Sequence, residues 1–148
     1  MRTLFQLTLL AALVAGIGVQ SASAQSSRYD RQVDRQLDRL DRMLNDEGYD
    51  GSYDRRYGWL RDDARDSFTV YLRAGQEYYF FGVCDNDCSD LDLRLFSPTG
   101  GLVDSDTATD DTPHVSVRPR RSGTYRVQSH MYDCDTQPCR YGVSLIRG

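Results

Sequence analysis

The chain has 148 residues, with 22 acidic against 18 basic side chains, a formal net charge of −4 and a hydrophobic share of 39%. That length suits one domain, and a mildly acidic balance argues against nucleic acid or an anionic membrane as partner. Every basic residue is Arg, and every acid except Glu47 and Glu77 is Asp, so ion pairs here join planar guanidinium forks to short carboxylates.

Residues 1–24 read as a secretory signal: Arg2, an apolar run from Leu4 to Val19, then Ser21-Ala22-Ser23-Ala24 as an A-x-A-like cleavage site. The chain is therefore expected to be exported, to the periplasm or the medium, and cut near Ala24. No later run approaches the roughly 18 apolar residues a membrane helix needs, so no span is expected. Residues 25–47 carry an Arg/Asp-rich amphipathic helix in which Val33, Leu37, Leu40 and Leu44 make one narrow apolar stripe. Arg31 with Asp34, Arg35 with Asp38 and Asp38 with Arg42 fall at helical pairing distance. A stripe this short suits docking on its own domain better than a two-chain coiled coil, so a monomer is expected. Gly48-Tyr49-Asp50-Gly51-Ser52 breaks the helix, and residues 48–56 read as a linker.

From residue 57 to 148 period-two alternation dominates. Phe68, Val70 and Leu72 share one strand face; Glu77 to Cys84, apolar on both faces, reads as a central strand; Leu91, Leu93 and Leu95 alternate with Asp90, Asp92 and Arg94. A turn at Ser97-Pro98-Thr99-Gly100 leads to a short strand from Leu102 to Asp104, and an acidic loop runs on to Pro113. Strands with Val115 and Val117, with Tyr125, Val127 and Met131, and with Tyr141, Val143 and Leu145 complete the set. The fold expected is all-β: an antiparallel sandwich of jelly-roll or Greek-key type with about seven to eight strands behind one helix.

Several of these segments together resemble the bacterial pre-peptidase C-terminal domain over roughly Gly58 to Ile146. They are Gly58-Trp59-Leu60, Asp66-Ser67-Phe68-Thr69, Leu72-Arg73-Ala74-Gly75-Gln76-Glu77-Tyr78, Asp90-Leu91-Asp92-Leu93-Arg94-Leu95-Phe96, Pro98-Thr99-Gly100 and Ser122-Gly123-Thr124-Tyr125-Arg126-Val127. The resemblance implies a non-catalytic jelly-roll accessory domain, one that in collagenase-linked relatives binds calcium and a polymeric substrate. The chain departs from that pattern: an Arg/Asp helix stands where a protease would, and two cysteine pairs are inserted.

The cysteines are Cys84 and Cys88, and Cys134 and Cys139. In an exported chain an even count favours disulfides, with three connectivities open. Loop entropy favours cross pairing, about 4 kcal/mol against about 2 for each local bridge. The hairpin-like reversal bracketed by each pair favours the local choice, Cys84 with Cys88 and Cys134 with Cys139. Asp85, Asp87, Asp90, Asp92, Asp104 and Asp106 could supply the oxygens Ca²⁺ requires if their loops converge, although aspartates on strand faces and in turns are ordinarily solvated surface. Tyr71, Tyr79 and Phe81 are candidates for an exposed aromatic surface that stacks on sugar or grips polypeptide. His114 and His130 read as ordinary strand histidines.

No G-x-S-x-G, H-E-x-x-H or phosphate-cradling glycine loop occurs, so no catalytic residue is assigned. The function expected is a secreted, non-catalytic binding or accessory module for an extracytoplasmic protein or polysaccharide. Two other readings are a self-associating envelope protein and a calcium-dependent adhesin-like module.

Overall fold

The computed structural model describes residues 20–148; most of the expected signal segment lies outside the described residues. Helix α1 spans Gln20–Asp46, so the expected cleavage position near Ala24 falls inside it. Eight strands follow: β1 (Asp50–Leu60), β2 (Ala64–Leu72), β3 (Tyr78–Cys84), β4 (Cys88–Phe96), β5 (Leu102–Asp106), β6 (His114–Val117), β7 (Gly123–Cys134) and β8 (Cys139–Arg147). They form two four-stranded antiparallel sheets, ordered β1-β8-β3-β6 and β2-β7-β4-β5. Chain-consecutive strands alternate between the sheets except where β4 meets β5, which is jelly-roll connectivity.

The core is the alternation realised. Phe80 from β3, Leu91, Leu93 and Leu95 from β4, Val127 and Met131 from β7 and Val143 from β8 are buried between the sheets. The expected central strand β3 lies inside its sheet, between β8 and β6. Tyr141 of β8 crosses the sandwich, and its hydroxyl donates to Asp66 of β2 in the other sheet at 2.7 Å. Burial, then that carboxylate, raises the phenol well above its ordinary pKa. Gly58 makes room for this ring, because a Cβ there would stand 2.5 Å from Tyr141 Cε1.

Residues 48–56 are not a linker: β1 starts at Asp50 and pairs with β8 along its whole length, with register shifts between Asp50 and Ser52 and between Ser52 and Asp54. The sandwich thus begins at Asp50 rather than at residue 57. The turn-forming residues do end the helix, but abruptly. Gly48 at φ +94° lets its N–H reach the Asn45 carbonyl while Tyr49 N–H reaches that of Leu44, a Schellman cap that delivers the chain straight into the strand.

Helix α1 docks on the outer face of the β1-β8-β3-β6 sheet. Val33 and Leu37 are fully buried there with Val83, and Leu44 is buried near the cap. Each contributes about 1.5–3 kcal/mol by leaving water. Gly142 of β8 sets the approach, since a Cβ there would lie 2.8 Å from Val33 Cγ1 and 3.0 Å from Leu37 Cδ1. The stripe a coiled coil would need is therefore occupied by the chain's own sheet. Polar contacts fix the register: Arg55 pairs with Asp38 at 2.9 Å and with Asp41, and Gln36 Nε2 donates to the Cys84 carbonyl at 2.6 Å. Burial lowers the Arg55 pKa, but hydrogen bonds to Asp41, Tyr57 and Asp38 outweigh it and hold the guanidinium above its ordinary value.

Candidate functional site

The helix covers only part of its sheet, and among the described residues two concavities open along the seam. The first, of about 360 Å³, lies between the C-terminal half of α1 and strands β3 and β6, lined by Leu40, Met43, Phe81 and Val83 together with Arg39 and His114. That volume is in the range of small-ligand sites, about 300–1,000 Å³. Phe81 stacks on His114 at 5.9 Å and on Tyr79 at 6.3 Å, and Tyr49 meets Tyr79 edge-on at 5.4 Å. A ladder of rings thus runs across the outer face. Burial, with a hydrogen bond to Tyr49, pushes the Tyr79 phenol up to about 12.

The second concavity, of about 250 Å³, sits where the N-terminal part of α1 passes the β7–β8 loop and is lined by Gln25, Tyr29, Trp59, Thr136, Gln137 and Pro138. Trp59, the sole tryptophan, is 38% exposed. Tyr29 meets it edge-on at 6.1 Å, and the Arg140 guanidinium stands 5.3 Å above its ring and 5.2 Å above that of Tyr57. Arg140 Nε is also 2.8 Å from Asp30 Oδ1, an ion pair whose N–H is not aligned for a hydrogen bond. The Tyr29 hydroxyl donates to Asp87, and that bond is the main cause raising its pKa. The loop is braced: the Cys134–Cys139 disulfide closes it, Asp62 accepts the Cys134 N–H at 3.0 Å, and the Asp62 N–H donates to Gln137 Oε1 at 3.3 Å.

A third grouping lies on the outer face of the other sheet. His130 of β7, only 3% exposed, has Nδ1 3.2 Å from Asp92 Oδ2 and Nε2 2.8 Å from Asp63 Oδ1. Arg94 reaches the same Asp92 oxygen at 3.3 Å. The His130 hydrogen bond holds the Asp63 carboxyl below its usual range. Both ring nitrogens face carboxylates, so neither is open to a substrate.

Both cysteine pairs close locally, Cys84 with Cys88 and Cys134 with Cys139. The six aspartates considered for calcium do not converge. Asp85 is buried and accepts the N–H groups of Asp87 at 3.0 Å and Arg140 at 2.6 Å, although burial prevails over those bonds and raises its pKa. Asp87 takes the Tyr29 hydroxyl, and Asp92 faces His130 and Arg94. Asp104 and Asp106 join β5 to β6 by accepting the N–H groups of Ser116 at 2.8 Å and His114 at 3.0 Å. Asp90 is buried with its Oδ1 unpartnered. Among the described residues no three His, Cys, Asp or Glu side chains are grouped to hold a metal ion.

Nor do the three aromatic candidates form one surface. Tyr79 and Phe81 lie beside α1 on the outer face of β3, whereas Tyr71, 63% exposed, is on β2 of the other sheet. The expected pairs within α1 are absent among the described residues, because its aspartates turn instead to the sheet: Asp38 and Asp41 to Arg55, and Asp30 to Arg140. Half-buried guanidiniums on β1 and β8 need carboxylates more than solvated ones do. The Trp59 pocket was not expected. Its signals in the sequence were a lone Trp beside Tyr57 and a cysteine-closed loop rich in amide and hydroxyl side chains.

No protein-family model and no curated protein matches the sequence. Among solved structures, the chain is similar to the crystal structure of Aeromonas hydrophila PliG, described as a periplasmic lysozyme inhibitor of g-type lysozyme. The alignment covers 69% of this chain and 90% of that one, at 12% identity and a TM-score of 0.48.

Proposed function

We propose that the protein is an exported, non-catalytic binding module that recognises an extracytoplasmic macromolecule along the seam between α1 and its sheet. The observation that carries this reading is that, among the described residues, two concavities lie on that seam, lined largely by aromatic, aliphatic and amide side chains with Arg39 and His114 at the edge of the first, a surface suited to contact. Both described disulfides agree with an oxidising compartment. The only buried histidine lies on the other sheet with both nitrogens engaged, which supports a structural role for it. The accessory character implied by the resemblance to pre-peptidase C-terminal domains is in keeping with this assignment.

The test is calorimetric titration of the oxidised protein with separated polysaccharide and protein fractions of the cell envelope, with mass analysis of the recovered ligand. Binding that survives Tyr71→Ala, is weakened at least tenfold by Trp59→Ala or Met43→Asp, and returns the ligand unaltered is expected. A chemically changed ligand, or binding lost only in Tyr71→Ala, overturns the proposal.

A further inference from the structure

Helix α1 sorts its charges by direction. Asp30, Asp38 and Asp41 reach Arg140 and Arg55 on the sheet, and Asp34 faces the Tyr57 hydroxyl. Arg28, Arg31, Arg35, Arg39 and Arg42 are all exposed, and among the described residues no ion pair or hydrogen bond engages any of them. Their spacings of three and four residues place them within about 80° of the helix circumference and along about 21 Å of its axis. Val33 and Leu37 occupy the opposite side. An acidic protein therefore carries one straight cationic ridge, and the Trp59 pocket lies at its N-terminal end, beside Gln25 and Tyr29.

We propose that this ridge binds a linear acidic polysaccharide of uronate type, with one sugar ring seated against Trp59 and successive carboxylates on the arginines. The inference rests on the binding-module reading and names its ligand class. Guanidinium forks match carboxylates bidentately, and five in a row at helical spacing fit a chain that repeats its charge. The pocket supplies the other half of sugar recognition: an indole and a phenol for the C–H face of a pyranose, and the Gln25, Gln137 and Thr136 side chains for its hydroxyls. Arg140, paired with Asp30, stands above the indole and helps hold the ring in place at the pocket. An anionic membrane fits less well, because the apolar face that an interfacial helix would insert is buried against the sheet. Nucleic acid fits the ridge, but the disulfides point to a compartment where it is scarce.

The test is titration of the oxidised protein with polygalacturonate, its fully methyl-esterified form, a single-stranded oligonucleotide and anionic phosphatidylglycerol vesicles, followed by calorimetry and Trp59 emission. The expected result is binding of the free-acid polymer that shifts the emission, weakens steeply with salt and falls at least tenfold in the ester. Arg31→Gln/Arg35→Gln/Arg39→Gln should weaken it at least tenfold with helix content unchanged, since Gln is a good helix former. Replacing the same three by Lys should keep the salt dependence but lose part of the affinity. Equal affinity for acid and ester, tighter binding of oligonucleotide or vesicles, or an unaffected triple Gln variant overturns the proposal. If polyuronate fails while another envelope fraction still binds in a Trp59-dependent way, only the ligand class falls; if nothing binds, both readings fall.

Discussion

Asp90 is poorly served by the fold. Its Oδ1 is buried with no partner, and burial, followed by the charges of Asp92, Asp110 and Asp133, raises its carboxyl above the usual range. A carboxyl whose pKa is higher in the folded chain than in the unfolded one favours folding when protonated and opposes it when charged. Its cost is therefore present at pH 7 and disappears as pH falls below the unfolded value. Asp63 has the opposite sign: its lowered pKa adds stability above the unfolded value, lost as pH falls through the folded one. Asp90→Asn keeps the shape, removes the charge and gives an amide that can donate to the neighbouring carboxylates. Thermal melts should show a gain of about 1 kcal/mol, a few degrees, at pH 7 that shrinks towards zero near pH 3. A gain of equal size at both pH values would mean that charge is not the cause.

The contact of α1 with its sheet depends on a missing side chain. A Cβ at Gly142 would stand 2.8 Å from a methyl of Val33, a branched residue with little rotamer freedom in a helix, and 3.2 Å from Tyr57 Cδ1. Gly142→Ala should make the helix back away at a cost of about 1–3 kcal/mol. Hydrogen exchange is expected to quicken in α1 while amides of β4 and β7 keep their protection; uniform loss of protection would show instead that the helix is part of the cooperative core. The same geometry explains what could be read in advance. Strands such as β4 announce themselves because Leu91, Leu93 and Leu95 meet the core while the alternate positions carry the charged Asp90, Asp92 and Arg94. Strand β1 reverses that pattern: Tyr57 and Trp59 point towards the helix, while the sandwich side carries Gly58, beneath the ring of Tyr141, and Arg56 over Phe68. Before Tyr57 the strand has no apolar alternation at all, Arg55 pairing with Asp38 and Asp41 of the helix and Arg56 lying over Phe68, so seen without the helix above it residues 48–56 look like a polar linker. The arginine ridge was hidden for a related reason, since periodicity places Arg and Asp near one another but cannot tell that the sheet claims the aspartates.

The whole molecule is three layers deep, yet its apolar interior is not continuous. The main core lies between the two sheets and includes no residue of α1; Val33, Leu37 and Val83 form a separate cluster on the far side of the first sheet. All eight strands and both disulfides lie at or beyond Asp50. A chain beginning at Asp50 is therefore expected to fold into the sandwich, with a cooperative melt at lower temperature, because the α1 contacts add stability without organising the core. It would also uncover Val83, Tyr57, Trp59 and Phe81 on one sheet face, and Arg55 and Arg140 would lose Asp38, Asp41 and Asp30. A contiguous apolar patch on a small domain drives association. Sedimentation of the shortened chain should show concentration-dependent dimers or larger species where the full protein is expected to stay monomeric, with near-ultraviolet circular dichroism still reporting packed aromatic rings. Loss of that dichroism would make α1 a structural member of the sandwich rather than a docked cover, and a shortened chain that stayed monomeric would mean that the uncovered face is too polar to associate.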